Sequence, residues 1–148
     1  MDNKTTNILI IGSGLAGAVA ALTAAEENKK VILITKCKKL LSGNTPQAQG
    51  GIAYPQNNDA TFIKDILSAG DHHNDGKAVN QLVQKGPGLI EELLINKCKV
   101  PFETDEQNQL IFTSEAAHSV NRIIHCKDQT GQVIHKHILY EVKNHKNI

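Results

Sequence analysis

Apolar residues fall in short dense runs near the start of the chain and at helical spacing further on. Asn7 to Ile11 is an almost unbroken apolar run, the pattern of a strand covered on both faces, as in parallel sheets. Leu15 to Asn28 is dense in alanine and free of proline, which predicts a helix. Val31-Ile32-Leu33-Ile34 is a second run of buried character. Strand, glycine-rich turn, helix and strand in this order form a βαβ unit, whose two strands run parallel. The chain therefore reads as α/β.

Beyond Lys36 the texture changes. Lys38 to Gln56 carries Ser, Gly, Asn, Thr, two prolines and three glutamines with neither period, so it reads as a long loop that is either functional or disordered. Asp59 is placed to cap a short helix bearing Ile63, Ile66 and Leu67. Lys77 to Lys85 repeats apolar residues at Val79, Leu82 and Val83. Gly86-Pro87 is expected to interrupt that helix, with Pro87 opening a new one that runs to about Asn96. Glu103 to Gln109 reads as a turn and Leu110-Ile111-Phe112 as an edge strand. Val133, Ile134, Ile138, Leu139 and Val142 predict a last helix from Thr130.

Composition narrows the class. A length of 148 residues favours one domain, and 40% hydrophobic residues are enough for a core. The net charge is +1 and aromatic residues make up 3%, so neither a basic nor a base-stacking nucleic-acid surface is expected. Apolar runs fall well short of the roughly 20 residues of a membrane span. The start of the chain lacks the pattern of a secretory signal. Three separated cysteines, Cys37, Cys98 and Cys126, suit free thiols in a reducing cytoplasm. His135-x-His137 and the adjacent His72-His73 offer no ligand pair at i and i+4, so no metal is expected.

Gly12-Ser13-Gly14-Leu15-Ala16-Gly17 matches Gly-x-Gly-x-x-Gly, between the first strand and the first helix. The first glycine permits the tight turn, the second admits a pyrophosphate, and the third lets helix and sheet pack closely. The helix N-terminus then offers N–H groups and partial positive charge to the phosphates. In that context the motif is a dinucleotide turn rather than an ordinary one. The second strand of a generic unit ends in Asp or Glu, which holds the ribose. Here Thr35 and Lys36 follow instead, with Lys36 available to a phosphate. An ordinary NAD enzyme is disfavoured.

A second motif, Asn44-Thr45-Pro46-Gln47-Ala48-Gln49-Gly50-Gly51-Ile52, follows at a distance that resembles the flavoproteins of the fumarate reductase, succinate dehydrogenase and L-aspartate oxidase group. Thr113-Ser114-Glu115-Ala116-Ala117-His118-Ser119 with Arg122 and His125 is similar to the L-aspartate oxidase branch, although Ser114, Ala116 and Ala117 depart from its Arg and two Gly. Asp128-x-Thr130-Gly131 is shared by both branches. The resemblance implies a Rossmann-like FAD-binding domain, with Gly12, Ser13, Gly14, Leu15, Ala16, Gly17, Lys36, Asn44, Thr45, Pro46, Gln47, Ala48, Gln49, Gly50 and Gly51 as cofactor-binding residues. Respiratory relatives bond FAD covalently through a His at the place of Asn44, so FAD is expected to be noncovalent here. Glu115 is the implied residue for orienting the substrate ammonium, with His118 a lesser catalytic candidate.

The implied reaction is oxidation of L-aspartate to iminoaspartate, with oxygen or fumarate as electron acceptor and quinolinate synthase as a partner in NAD synthesis. Members of this group are several-fold longer. Residues 1–148 are therefore expected to be the N-terminal part of an incomplete FAD-binding domain, without the capping and C-terminal domains, and inactive alone. The alternatives are a noncatalytic nucleotide-binding remnant and a fragment of a fumarate reductase or succinate dehydrogenase flavoprotein.

Overall fold

The structure, a computed structural model, describes residues 5–56 and 60–148. The expected cap at Asp59 lies outside the described residues. The chain folds as two compact units. One holds the residues up to Ala48 together with Gly131–Ile148, and the other holds Gln49–Thr130.

The first unit contains the βαβ arrangement. Strand β1 (Ile8–Ile11) pairs in parallel with β2 (Val31–Ile34), Ile8 opposite Val31 and Ile11 opposite Ile34. Helix α1 (Leu15–Glu26) connects them and buries Ala18, Ala21, Leu22 and Ala25. Ala21, Ala25 and Val31 form a core against which Ile10, Leu33 and Ile148 pack. Small alanines let the helix approach the sheet closely, which gives each strand residue on that face a dense contact. Helix α4 (Thr130–Asn144) buries Ile134, His135, Ile138, Leu139 and Val142. The segment after it is tied back by Val31 N–H donating to Asn147 O at 2.8 Å and by the Asn147 side-chain amide donating to Ala25 O at 3.0 Å.

The expectation that both strands are covered on both faces is corrected. Successive strand residues face opposite sides, and α1 covers only the side of Ile10, Val31 and Leu33. Leu9 remains 54% and Ile11 79% exposed. The apolar runs are thus longer than the burial they receive in these residues.

The second unit packs helices α2 (Ala60–Ala69) and α3 (Gly76–Leu89) around Phe62, Val79 and Val83. Asp75 caps α3, its carboxylate accepting from Lys77 N–H at 2.8 Å. Strand β3 (Ile52–Ala53) pairs antiparallel with β4 (Ile123–Ile124). Two expectations fail here. Pro87 does not break the helix but lies inside α3, and the chain continues as a wider π-type helix over Ile90–Lys97. Its last turn closes with Cys98 N–H on Leu93 O at 2.8 Å. One continuous helix keeps Val79, Val83, Ile90 and Leu94 buried at spacings that share a face. Burying four aliphatic side chains at about 1.5–3 kcal/mol each outweighs an interior proline at about 3 kcal/mol. Leu110-Ile111-Phe112 makes only an isolated bridge, Leu110 opposite Thr104, because the Asp105 turn brings too few residues into register. The loop from Lys38 is mostly irregular, as expected, with a single 3₁₀ turn at Thr45–Gln47 before β3.

Candidate functional site

In the first unit the sequence-predicted residues converge on the β1–α1 turn. Gly12 sits at φ +116°, where a side chain would be strained. Its N–H donates to Ile34 O at 2.7 Å, extending the ladder to the end of β2. Gly17 is required by contact: a Cβ there would stand 1.9 Å from Gly12 O. The first turn of α1 thus lies directly on the turn. The first intrahelical bond runs from Ala18 N–H to Gly14 O at 2.9 Å, and Leu15 N–H donates to the Thr45 hydroxyl at 3.0 Å. That leaves the N–H groups of Ala16 and Gly17 among those a helix start cannot satisfy internally. Such groups, with the helix dipole, suit a pyrophosphate.

Ser13 is buried, and its hydroxyl donates to Leu40 O at 3.1 Å. Pro46 lies in the first turn of the 3₁₀ segment that follows Asn44, and Gln47 N–H closes it on Asn44 O at 2.9 Å. Ala48 O accepts from Gly131 N–H at 2.9 Å. Gly131 has no room for a side chain, since a Cβ would meet Thr45 O at 2.1 Å. Thr45 and Ala48 are thereby joined to the glycine turn within one unit, while Lys36 and Asn44 are exposed beyond it. These residues fit the pyrophosphate of a dinucleotide: a glycine cradle, free N–H groups and a helix start.

In the second unit Gly50 lies against Glu115, where a Cβ would stand 3.4 Å from the carboxyl carbon. The fold itself requires glycine at residue 51. At φ +124°, its Cβ would meet the Ile123 side chain at 2.4 Å and Ile124 O at 2.8 Å. Gln49 is exposed. Glu115 is exposed on a short turn closed by His118 N–H on Glu115 O at 3.1 Å.

His118 belongs to a network that sequence reasoning missed. Arg122, 2% exposed, donates through Nη1 to Asp65 at 2.6 Å and through Nη2 to the Thr61 hydroxyl at 2.9 Å. Nη1 also lies 2.9 Å from His118 Nδ1. A guanidinium can only donate, so that nitrogen accepts and the ring proton is on Nε2. The His118 ring stacks on Phe62, with 5.9 Å between centroids, and the Arg122 guanidinium stands over Phe62 at 4.9 Å. Asp65 also accepts from the Ser119 hydroxyl and from Ser119 N–H at 2.8 Å. His118 is thus held in place by Arg122 and Phe62. Nothing in the sequence marked Asp65, which lies 57 residues from Arg122. Gly131 was visible only through the family motif. His135 was weighed in the sequence only as a metal ligand, and its buried hydrogen bond to Ser13 was not anticipated.

Electrostatics follow the geometry. The Ser119 hydroxyl, the Ser119 N–H and then Arg122 hold the Asp65 carboxyl well below its ordinary 3.8. Burial, helped by the charge of Glu103, pushes the Cys126 thiol up to about 11, so it stays protonated and unreactive at neutral pH. Among the described residues no helix is long and apolar enough to cross a membrane.

A parallel βαβ unit with a glycine cradle and an open helix start defines a dinucleotide-binding domain. Residues 7–146 match the family described as FAD binding domain, and the chain belongs to that family of FAD-dependent flavoproteins. Within it, the chain is 38% identical over 147 residues to the L-aspartate oxidase of Halobacterium salinarum, covering 99% of this chain and 28% of that protein. It is 38% identical over 148 residues to the L-aspartate oxidase of Clostridium acetobutylicum, covering 99% of this chain and 33% of the relative. The chain therefore spans no more than about a third of the length of these relatives. In fold it resembles FrdA of the E. coli quinol fumarate reductase, with a TM-score of 0.90 at 23% identity, over 100% of this chain and 26% of that one. A flavocytochrome c3 fumarate reductase aligns with a TM-score of 0.80 at 23% identity, over 99% of this chain and 26% of that one.

The depressed Asp65 carboxyl makes a pH prediction. A carboxyl lower in the folded than in the unfolded state contributes stability that is present above about pH 3.8 and lost as pH falls through the folded value. Thermal melts should show Asp65→Asn less stable than the parent at pH 7, with the gap closing below pH 4. A gap that stays constant with pH would show that the ion pair does not act as described.

Proposed function

We propose that these residues are the N-terminal part of the FAD-binding domain of an L-aspartate oxidase, which converts L-aspartate to iminoaspartate with oxygen or fumarate as acceptor. The observation that carries this reading is Glu115 held against Gly50, in a chain whose curated relatives bear that activity. The glycine turn and the first turn of α1 would hold the FAD pyrophosphate, with Lys36 adding charge near it. Bound FAD supplies the acceptor for the hydride leaving the substrate Cα. Glu115 would hold the substrate ammonium and so orient that Cα–H. Asn44 cannot form the covalent bond a His would, which supports noncovalent FAD. The three widely separated cysteines, Cys37, Cys98 and Cys126, support a cytoplasmic setting, with quinolinate synthase taking up the product.

A second reading has one observation in its favour. Arg122 is the sole arginine of the chain and is engaged by Asp65 and Thr61. The two substrate carboxylates call for cationic donors, ideally bidentate arginine. By themselves the 148 residues would then bind the nucleotide without turning over L-aspartate.

Two measurements test the proposal. Acid or heat should release all bound flavin into the filtrate, and flavin retained by the precipitated protein would contradict noncovalent binding. When this segment completes an L-aspartate oxidase in place of the matching part, Glu115→Gln should lower turnover of L-aspartate. The fall should be about tenfold or more, the worth of one hydrogen bond to a charged group, with fumarate reduction changed much less. Equal losses on both substrates would show that Glu115 acts structurally.

A further inference from the structure

The last helix carries a polar side chain where its neighbours are apolar. His135 is fully buried, and its Nε2 lies 2.6 Å from Ser13 O, whose residue is 3% exposed. A carbonyl only accepts, so Nε2 carries the proton and donates it. Its Nδ1 is buried without a hydrogen-bond partner among the described residues, so the Ser13 carbonyl takes the one hydrogen bond shown for this ring among them. The peptide between Ser13 and Gly14 is planar and trans, with its carbonyl and N–H pointing in opposite directions. Drawing the Ser13 carbonyl towards His135 therefore turns the Gly14 N–H the other way, away from the buried ring. Gly131 lies one helical turn before His135, at the i, i+4 spacing that puts both on one face of α4. It donates to Ala48 O at 2.9 Å and leaves no room for a side chain against Thr45 O. That face of α4 thus grips the glycine turn at Ser13 and the segment behind it at Ala48.

We propose that His135 is a positioning residue for FAD, setting the direction of the Gly14 N–H in the pyrophosphate turn through its hydrogen bond to the Ser13 carbonyl. It touches no cofactor itself. The inference rests on the family reading that the turn binds FAD, and it adds a residue outside both sequence motifs. Removing the donor leaves a buried carbonyl unsatisfied and the peptide free to rotate.

The test is FAD affinity of the full 148-residue chain, read by quenching of flavin fluorescence. His135→Leu, which fills the site without a donor, should weaken FAD by about tenfold, the worth of one buried hydrogen bond. His135→Gln, whose amide nitrogen reaches a similar place, should restore affinity to within about threefold of the parent. A merely space-filling role would give the opposite order or no difference, and either result overturns the proposal. Should His135→Leu fail to fold, nitrogen-15 NMR of the unaltered chain decides. The His135 ring proton must be on Nε2, and the Ser13 and Gly14 amides must shift when FAD is added. A proton on Nδ1 alone, or amides that do not move while FAD binds, overturns it. If the unaltered chain binds no FAD at all, the functional reading fails first and this role fails with it.

Discussion

The contact between Gly17 and the carbonyl of Gly12 governs the first unit. A single methyl group at residue 17 would stand 1.9 Å from that oxygen, well inside any tolerable approach. Because the helix rests on the turn at this distance, its first N–H groups are brought over the end of β1. Gly12 can make the turn only at positive φ. The alanines of α1 continue the same close approach down to Val31. Thr45 and His135 then act on a turn whose position is already determined. Replacing either glycine alters the backbone of the turn, whereas Thr45 and His135 act on how its N–H groups are aimed.

The legible part of the chain was the part governed by local rules. β1, α1, β2 and α4 follow from apolar runs and helical period, and the glycine turn follows from spacing. Pro87 was misread because its local cost is visible in sequence while the stripe of Val79, Val83, Ile90 and Leu94 rewards continuation only after folding. The exposure of Leu9 and Ile11 was misread for a related reason. An apolar run records that a face is suited to burial and says nothing of whether the same chain covers it.

The second unit shows the limit for sites. Glu115 was found through a motif, and the structure adds that it lies against Gly50. Asp65 and Arg122 meet through the fold alone, since no spacing rule connects residues that far apart. Gly51 looked like a residue left small for a cofactor, yet β4 already demands a glycine there, through Ile123 and Ile124. A glycine in a binding motif can thus serve the scaffold first.

The β1–α1 turn is suited to a flavin nucleotide rather than a nicotinamide one. The chain belongs to the FAD-binding family, and β2 is followed by Thr35 and the exposed Lys36 where the generic NAD unit has a carboxylate. Calorimetric titration of the 148-residue chain with FAD and with NAD, under identical buffer and salt, tests it most directly. FAD should bind with an affinity at least about tenfold above that of NAD, a difference of about 1.4 kcal/mol. An NAD complex as tight as the FAD complex, or tighter, would contradict it.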